Sequence, residues 1–260
     1  MAQNKLLKKN KIIKIAEIGA NHLGSEQIAK KYLNYLINTN IDGISFQIKT
    51  EIFYKKFKLA IKKKDRSFSK NFREDFFLNV LKNDKIKKLT LSNNFYKYAI
   101  EKCKKNNKLI GFSIQDPKKI HFLNTQQIDF YKILNEDINN EKLIKLISKN
   151  KKVLKIISTS NDSINQIKKT VKLINQKSKT VISITDFNEK LSSEYLNKIK
   201  QYKKIFDLKI GYGNHSKIES LVKIFKLKPE ILLVYVKLDN KRKYPDDSHA
   251  ISLNSLKKYI

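Results

Sequence analysis

The sequence has few of the residues that staple or break a chain. Of its 260 residues one is cysteine, Cys103, so no intrachain disulfide can form and a reducing compartment is expected. Six glycines and three prolines exclude collagen-like and linker-rich architectures. The longest strand-like apolar run, Ile231 to Val236, is far short of the roughly 20 residues that span a bilayer. The stretch Lys5 to Lys11 has no apolar signal core, so a soluble, cytoplasmic protein without a membrane partner is expected. Acidic residues are scarce as well, 24 against 56 basic ones, which gives a formal charge of +32.

A charge of that size suggests a nucleic-acid or anionic-membrane binder. Arginine, however, is nearly absent: Arg66, Arg73 and Arg242 are the only three, whereas phosphate and base-edge readers favour the planar, bidentate guanidinium. The lysines run through every segment beside abundant Asn and Ile. They read as a composition bias of the whole chain, with no specific nucleic-acid function, and runs such as Lys62-Lys63-Lys64 and Lys151-Lys152 read as solvated surface. A hydrophobic content of 40% is too high for a disordered polycation and fits a packed domain. A chain of this length buries about three-quarters of its unfolded surface, so it forms a full core without staples.

Apolar runs with strand character recur at Ile12–Ile18, Gly43–Ile48, Leu109–Ile114, Phe130–Leu134, Val153–Ser158, Val181–Thr185, Leu208–Tyr212 and Ile231–Val236. Helical spacing lies between them, at about Ser25–Asn38, Ser92–Asn106, Pro117–Leu123, Asn139–Ser148, Ser163–Asn175, Ser192–Lys204 and Ser216–Phe225. Several of these begin at Ser or Asn, whose side chains accept hydrogen bonds from free first-turn N–H groups. Strand alternating with helix implies parallel pairing through crossover helices. Eight such units predict an α/β fold, a (β/α)8 TIM barrel, over a doubly wound open sheet. Lys49–Lys88 is too long for one connection and predicts an excursion over the barrel mouth, with a short helix near Phe72–Leu81. No linker or repeat divides residues 1–260, so a single domain is expected.

In a barrel, reactive groups project from the C-terminal ends of strands, so polar residues just after each apolar run are the candidates. They are Glu17, Asn21 and His22 after the first run and Gln47 and Lys49 at the second. Lys132, Asn135, Glu136 and Asp137 mark the fourth, and Ser158 and Thr159 the fifth. Asn214 and His215 follow the seventh, and Lys237 and Asp239 the eighth. A lysine inside a barrel strand is costly unless a charge meets it, which singles out Lys132. Glu17 alone would read as a cap or a lysine partner, His121 as surface, Cys103 as buried and apolar, and His249 as part of a solvated loop, with substitute metal ligand as the minor alternative.

The ordered series Ala16-Glu17-Ile18-Gly19-Ala20-Asn21-His22, Phe46-Gln47, Lys132-Ile133, Ile157-Ser158-Thr159, Gly211-Tyr212 with His215-Ser216, Leu238-Asp239 and Pro245-Asp246 resembles the sialic acid synthase family over residues 12–260. The resemblance implies a TIM barrel that condenses phosphoenolpyruvate with an N-acetylated hexose such as N-acetylmannosamine. The products are a nine-carbon 2-keto sugar acid and phosphate. It implies Glu17, Lys132 and His215 as catalytic residues, with His215 a ligand of a divalent metal, Mn or Mg. Asn21, Gln47, Asn135, Asp137, Ser158, Thr159, Asn214 and Asp246 are expected as substrate-binding, and Lys49 joins them on strand periodicity. A homodimer is implied too, as is a small C-terminal antifreeze-like domain, which is expected to be absent from this chain ending at Ile260.

Several positions depart from that pattern. Ser45 stands where the family has a second phosphoenolpyruvate-binding lysine, and Asn135 and Gly213 stand for serines. Leu233 stands for a glutamate and Tyr235 for the second metal histidine. A neutral phenol is a poor ligand for a divalent cation at pH 7, so the two-histidine metal site does not carry over. Residues two apart on a strand face the same way. Lys49 is therefore expected to return a cation beside Ser45 and Gln47, and Lys237 to act as electrophile beside Tyr235. The competing reading is a barrel that binds a sugar or anion without condensation.

Overall fold

The β-branched and aromatic runs do form strands. The computed structural model describes residues 11–62, 90–186, 193–216, 218–242 and 244–258. Its strands are β1 (Ile13–Gly19), β2 (Gly43–Ile48), β3 (Leu109–Ile114), β4 (Phe130–Ile133), β5 (Leu154–Thr159), β6 (Thr180–Asp186), β7 (Lys209–Asn214) and β8 (Ile231–Lys237). Each pairs in parallel with the next, and β1 pairs with β8, which closes an eight-stranded barrel. The TIM barrel expected from the alternation is the fold found.

The crossover helices are α1 (Glu26–Leu36), α3 (Asn93–Lys105), α4 (Pro117–Asn124), α5 (Glu141–Ser148), α6 (Ile164–Ile174), α7 (Ser193–Ile205) and α8 (Leu221–Lys226), with α2 (Glu51–Lys62) opening the long connection after β2. Their starts follow from side-chain caps. Ser25, Ser92 and Asn140 accept from the N–H groups of Ile28, Phe95 and Leu143, and Ser163 forms a reciprocal capping box with Gln166. The helix expected near Phe72–Leu81 lies outside the described residues.

Two boundaries differ in substance from the sequence reading. The helix expected from Ser216 begins as a 3-10 turn at Ile218–Ser220 and becomes α-helical at Leu221. Ser216 is buried, and its carbonyl accepts from the Asn214 amide, so the chain stays tied to the end of β7. A short parallel strand, β9 (Ile251–Ser252), also adds to β8 and leads into α9 (Leu253–Leu256). Two paired residues carry too little periodicity to be read as a strand.

The core has two layers. The outward strand faces pack on the helices, while Ile13, Ile15, Leu109, Phe130, Leu154, Ile156, Val181, Ile231 and Leu233 form a separate cluster that plugs the barrel interior. This plug fills the N-terminal half of the barrel interior, so the interior itself opens toward the C-terminal mouth. No helix among the described residues is long and apolar enough to cross a membrane.

One glycine is fixed by this packing. A Cβ at Gly111 would lie 2.2 Å from the ring of Phe130, with no flexible tip to move aside. Gly111→Ala is expected to lower stability by about 1–3 kcal/mol in urea unfolding. Adding Phe130→Leu should recover part of the loss, and equal stability of Gly111→Ala and the parent would refute this account of the plug.

Candidate active site

The inward positions follow from the two-residue period of a strand. Two residues beyond the plug lie Glu17 after Ile15, Lys132 after Phe130, Ser158 after Ile156, Ser183 after Val181 and Tyr235 after Leu233. The ladder registers set these in a ring. Glu17 pairs across with Ser45 on one side and Tyr235 on the other, Gln47 with Ser113, Ser158 with Ser183, and Thr185 with Gly213. One apolar layer of a barrel is thus followed by one polar layer.

At its centre is a buried cation. The Lys132 ammonium donates to the Tyr235 hydroxyl at 3.0 Å and pairs with the Glu17 carboxylate at 3.4 Å, with Lys132 3% and Glu17 0% exposed. Burial opposes the ammonium's charge, but the Tyr235 oxygen and the Glu17 carboxylate outweigh it and hold the group above the ordinary lysine range. Burial likewise lifts the Tyr235 phenol above its usual value, against the pull of Lys132, so the phenol is neutral at pH 7. Gln47 donates its amide nitrogen to the same hydroxyl at 3.2 Å.

His215 and Asp246 reach this cluster from β7 and from the segment after β8. The ring of His249 stacks on His215, with centroids 4.0 Å apart and an interplanar angle of 16°, and Tyr235 meets both rings edge-on at 4.7 Å. His249 therefore does not belong to a solvated loop: its side chain is 10% exposed. Burial lowers its pKa to about 3 and carries His215 well below the usual histidine range, so both rings are neutral at pH 7. Burial raises Asp246 to about 6. Gly19, at φ +59°, makes room for this carboxylate, since a Cβ there would stand 2.5 Å from its Oδ2.

The remaining expected residues divide. Asn135 and Ser158 line the same small space as Gln47, Lys132, His215 and Tyr235, and Ser158 bonds the Thr185 hydroxyl at 2.9 Å. The buried Lys49 ammonium lies 3.7 Å from the Phe53 ring and faces Glu136, Asp246, Asp137 and Glu17. Asp137 accepts from the Gln115 amide at 2.6 Å. Asn21 is a clip, donating to the Val236 carbonyl and accepting from the Asp246 N–H. Thr159 bonds Asp162 just before α6, and Asn214 donates to the Ser216 carbonyl. The electrophile expected at Lys237 is not beside Tyr235: its ammonium pairs with Asp247 at 2.8 Å, because the turn after β8 brings that carboxylate to the rim.

Gln115, just after β3, and Thr185, near the end of β6, escaped the sequence reading as site residues, although their places at strand ends would have found them. Thr185 also accounts for Gly213, where a Cβ would meet its hydroxyl at 3.0 Å. The hydroxyls of Ser45, Ser113 and Ser183, the carbonyl oxygens of Gln47 and Gln115, Oδ2 of Asp246 and Nε2 of His249 have no hydrogen-bond partner among the described residues. Such a set at one end of a barrel suits a polar ligand.

The divalent metal implied by the resemblance does not fit these donors. Among the described residues no three His, Cys, Asp or Glu are grouped to hold a metal ion. Imidazole lone pairs lie in the ring plane, so one ion cannot sit in the planes of two rings stacked 4.0 Å apart. The Lys132 ammonium occupies the adjoining position and would repel a dication. The space between these groups is about 30 Å³, room for a water or two. A larger recess of about 940 Å³ lies at the opposite end of the barrel, where Asp129 is already tied to Lys104 and to the Ile110 N–H.

Residues 40–260 match the family model described as NeuB family. No curated protein matches the chain. Among solved structures, the chain is similar to the N-acetylneuraminic acid (sialic acid) synthetase of Leptospira borgpetersenii serovar Hardjo-bovis. The TM-score is 0.77 at 20% identity, over 96% of this chain and 81% of that one. A spore coat polysaccharide biosynthesis protein of Bacillus subtilis follows at 0.74 and 18%, over 97% and 67% of the two chains. A truncated 3-deoxy-D-arabino-heptulosonate 7-phosphate synthase of Thermotoga maritima gives 0.68 at 9%, over 96% and 84%. At these identities the solved structures speak for the fold alone.

The buried Asp246 carboxyl has a definite pH signature. Its pKa is raised from 3.8 to about 6, so between those values the folded protein keeps a proton that the unfolded chain has released, and stability falls as pH rises through that window. Asp246→Asn removes the titration. Compared with the parent, the variant is expected to gain up to roughly 3 kcal/mol above pH 6 and nothing below about pH 4. Urea unfolding of both proteins across pH 4–7 checks this, and a pH-independent difference would count against a buried, ionising Asp246.

Proposed function

This chain belongs to the NeuB family, and we propose on that footing that it is a sialic-acid-synthase-like enzyme of carbohydrate biosynthesis. In this reading it condenses phosphoenolpyruvate with an N-acetylated hexose, such as N-acetylmannosamine, into a nine-carbon 2-keto sugar acid and releases phosphate. The observation that carries the reading is the convergence of Lys132, Tyr235, His215 and Ser158 from four different strand ends on one small space, with Glu17 from a fifth paired to Lys132. Lys132, with Lys49 on the Asp137 side, supplies positive charge for the carboxylate and phosphate of the enol acid. In this reading Glu17 takes a proton from water, and the hydrogen-bonded pair of Asp137 and Gln115 contacts the sugar.

Two features constrain how the substrates enter. A space of about 30 Å³ is too small for a three-carbon phosphate, so side chains at its rim, the His249 ring among them, have to give way before one binds. Glu17, Glu136, Asp137 and Asp246 also outnumber Lys49 and Lys132, so the anion binds well only where Lys132 exchanges part of its contact with Glu17 for the substrate. These same two features favour the competing reading, a barrel that binds a sugar or small anion without condensation.

Incubation with phosphoenolpyruvate and a panel of N-acetylated hexoses, with and without Mn or Mg, separates the readings. Release of phosphate together with a 2-keto acid is the expected result. Lys132→Met should then lower kcat/KM at least about 100-fold, and Lys49→Met should raise the Kd for phosphoenolpyruvate about tenfold. Ligand binding in a calorimeter without phosphate release from any acceptor would replace the synthase reading with the binding one.

A further inference from the structure

We infer that the electrophile acting on the acceptor's carbonyl oxygen is the Tyr235 hydroxyl, backed by the Lys132 ammonium, and that this site works without a divalent metal. The inference rests on the proposed condensation, and its ground is the hydrogen-bond inventory of one oxygen. A phenol has two lone pairs and one hydrogen. Lys132 can only donate, and it does so to the Tyr235 oxygen at 3.0 Å, while Gln47, with its amide nitrogen toward the phenol, donates at 3.2 Å. Both lone pairs are thus engaged. The hydroxyl hydrogen is left as the outgoing donor, and no acceptor for it is found among the described residues.

Two charge-bearing or polar donors aimed at a hydroxyl strengthen it as a hydrogen-bond donor and offset part of the burial that lifts this phenol, an arrangement that serves an acceptor on which negative charge develops. Tyr235 lies on β8 directly across the ladder from Glu17 and edge-on to His215, at the border of the small space. It occupies the position that the resemblance gives to a metal histidine, and a neutral phenol, the adjoining ammonium and the absence of three grouped His, Cys, Asp or Glu among the described residues leave no donor set for a dication there. One hydrogen-bonding pair therefore stands where a Lewis acid would.

The step balances without a further reactant. The methylene carbon of phosphoenolpyruvate forms a bond to the aldehyde carbon, and the carbonyl π pair moves to oxygen, which takes the Tyr235 proton. The cationic C2 takes a water molecule, whose proton passes to Glu17. Collapse of the resulting hemiketal phosphate breaks the C–O bond to phosphate. The second water proton leaves with phosphate, and the proton on Glu17 returns through Lys132 to the phenolate oxygen. Water thus supplies the proton of the new alcohol and that of hydrogen phosphate.

The test uses the whole chain. Mn is titrated into the parent by calorimetry and by electron paramagnetic resonance, and phosphate release from phosphoenolpyruvate and N-acetylmannosamine is compared with and without EDTA. No Mn uptake below millimolar concentration and turnover unchanged by EDTA are expected. Tyr235→Phe should keep the Kd for phosphoenolpyruvate within about twofold while kcat falls about 100- to 1,000-fold, the loss typical of one deleted oxyanion donor. Binding of one Mn per chain at micromolar concentration, abolition of turnover by EDTA, or full turnover by Tyr235→Phe would each overturn the inference. The two parent measurements decide the metal question even where the variant fails to fold. If no acceptor is turned over, the condensation reading and the electrophile role fall together, while the Mn titration still decides metal binding on its own.

Discussion

An ammonium inside a barrel has to be met by charge, and in this molecule Lys132 is met by Glu17 and Tyr235. Removing an ion from water costs several kcal/mol even after relaxation, and an ion pair buried in the interior offsets this only when its remaining hydrogen-bonding capacity is used. Here the ammonium spans to β1 and β8 from β4 across the barrel, and Glu17 also accepts from the Gly19 N–H at 3.3 Å. The cluster thereby joins three strands that are not all neighbours and fixes which residues can face the mouth. Deleting either charge would strand the other, so the pair is retained or lost as a unit.

The total charge of +32 says little about this local balance. Most of the described lysines stand on the outside, and at physiological ionic strength an exposed charge is screened over about 8 Å. The long-range field draws anions toward the molecule, but their affinity for the site depends on Lys49 and Lys132 against the carboxylates of Glu17, Glu136, Asp137 and Asp246. A positive surface and a carboxylate-rich pocket coexist in one chain because they act over different distances.

What was legible in the sequence follows from periodicity. The eight apolar runs, their alternation with capped helices and the inward placing of Glu17, Lys132, Ser158 and Gln47 all rest on the two-residue and 3.6-residue repeats, and the structure reproduces them. Lys237 shows where that rule ends. It shares a strand face with Tyr235, yet it is the last residue of β8, and at a rim the following turn decides the partner, here Asp247. His249 sits in a turn with no period at all. Only three-dimensional closure, with Asn21 clasping both the Val236 carbonyl and the Asp246 N–H, brings its ring onto His215. The pairing of Thr185 with Gly213 is likewise a relation between two strands that no single stretch of sequence expresses.

The two halves of the site differ in how firmly they are held. Glu17, Lys132 and Tyr235 are strand residues, each locked by ladder hydrogen bonds and by the charge of the others, so moving one exposes an uncompensated ion. The segment carrying Asp246 and His249 is held to the barrel by the Asn21 clasp, by the Lys237–Asp247 ion pair at the rim and by contact between two neutral rings. A hydrogen bond contributes about 1 kcal/mol net and an aromatic pair about 0.5–1.5 kcal/mol beyond its buried area. Unstacking His249 therefore costs a small fraction of what dismantling the ion cluster would. A ligand that needs more than 30 Å³ has an inexpensive way to obtain it, by displacing the tail ring while the charged floor keeps its geometry. Opening at the rim and rigidity below it are then consequences of the same division between turn-borne and strand-borne side chains.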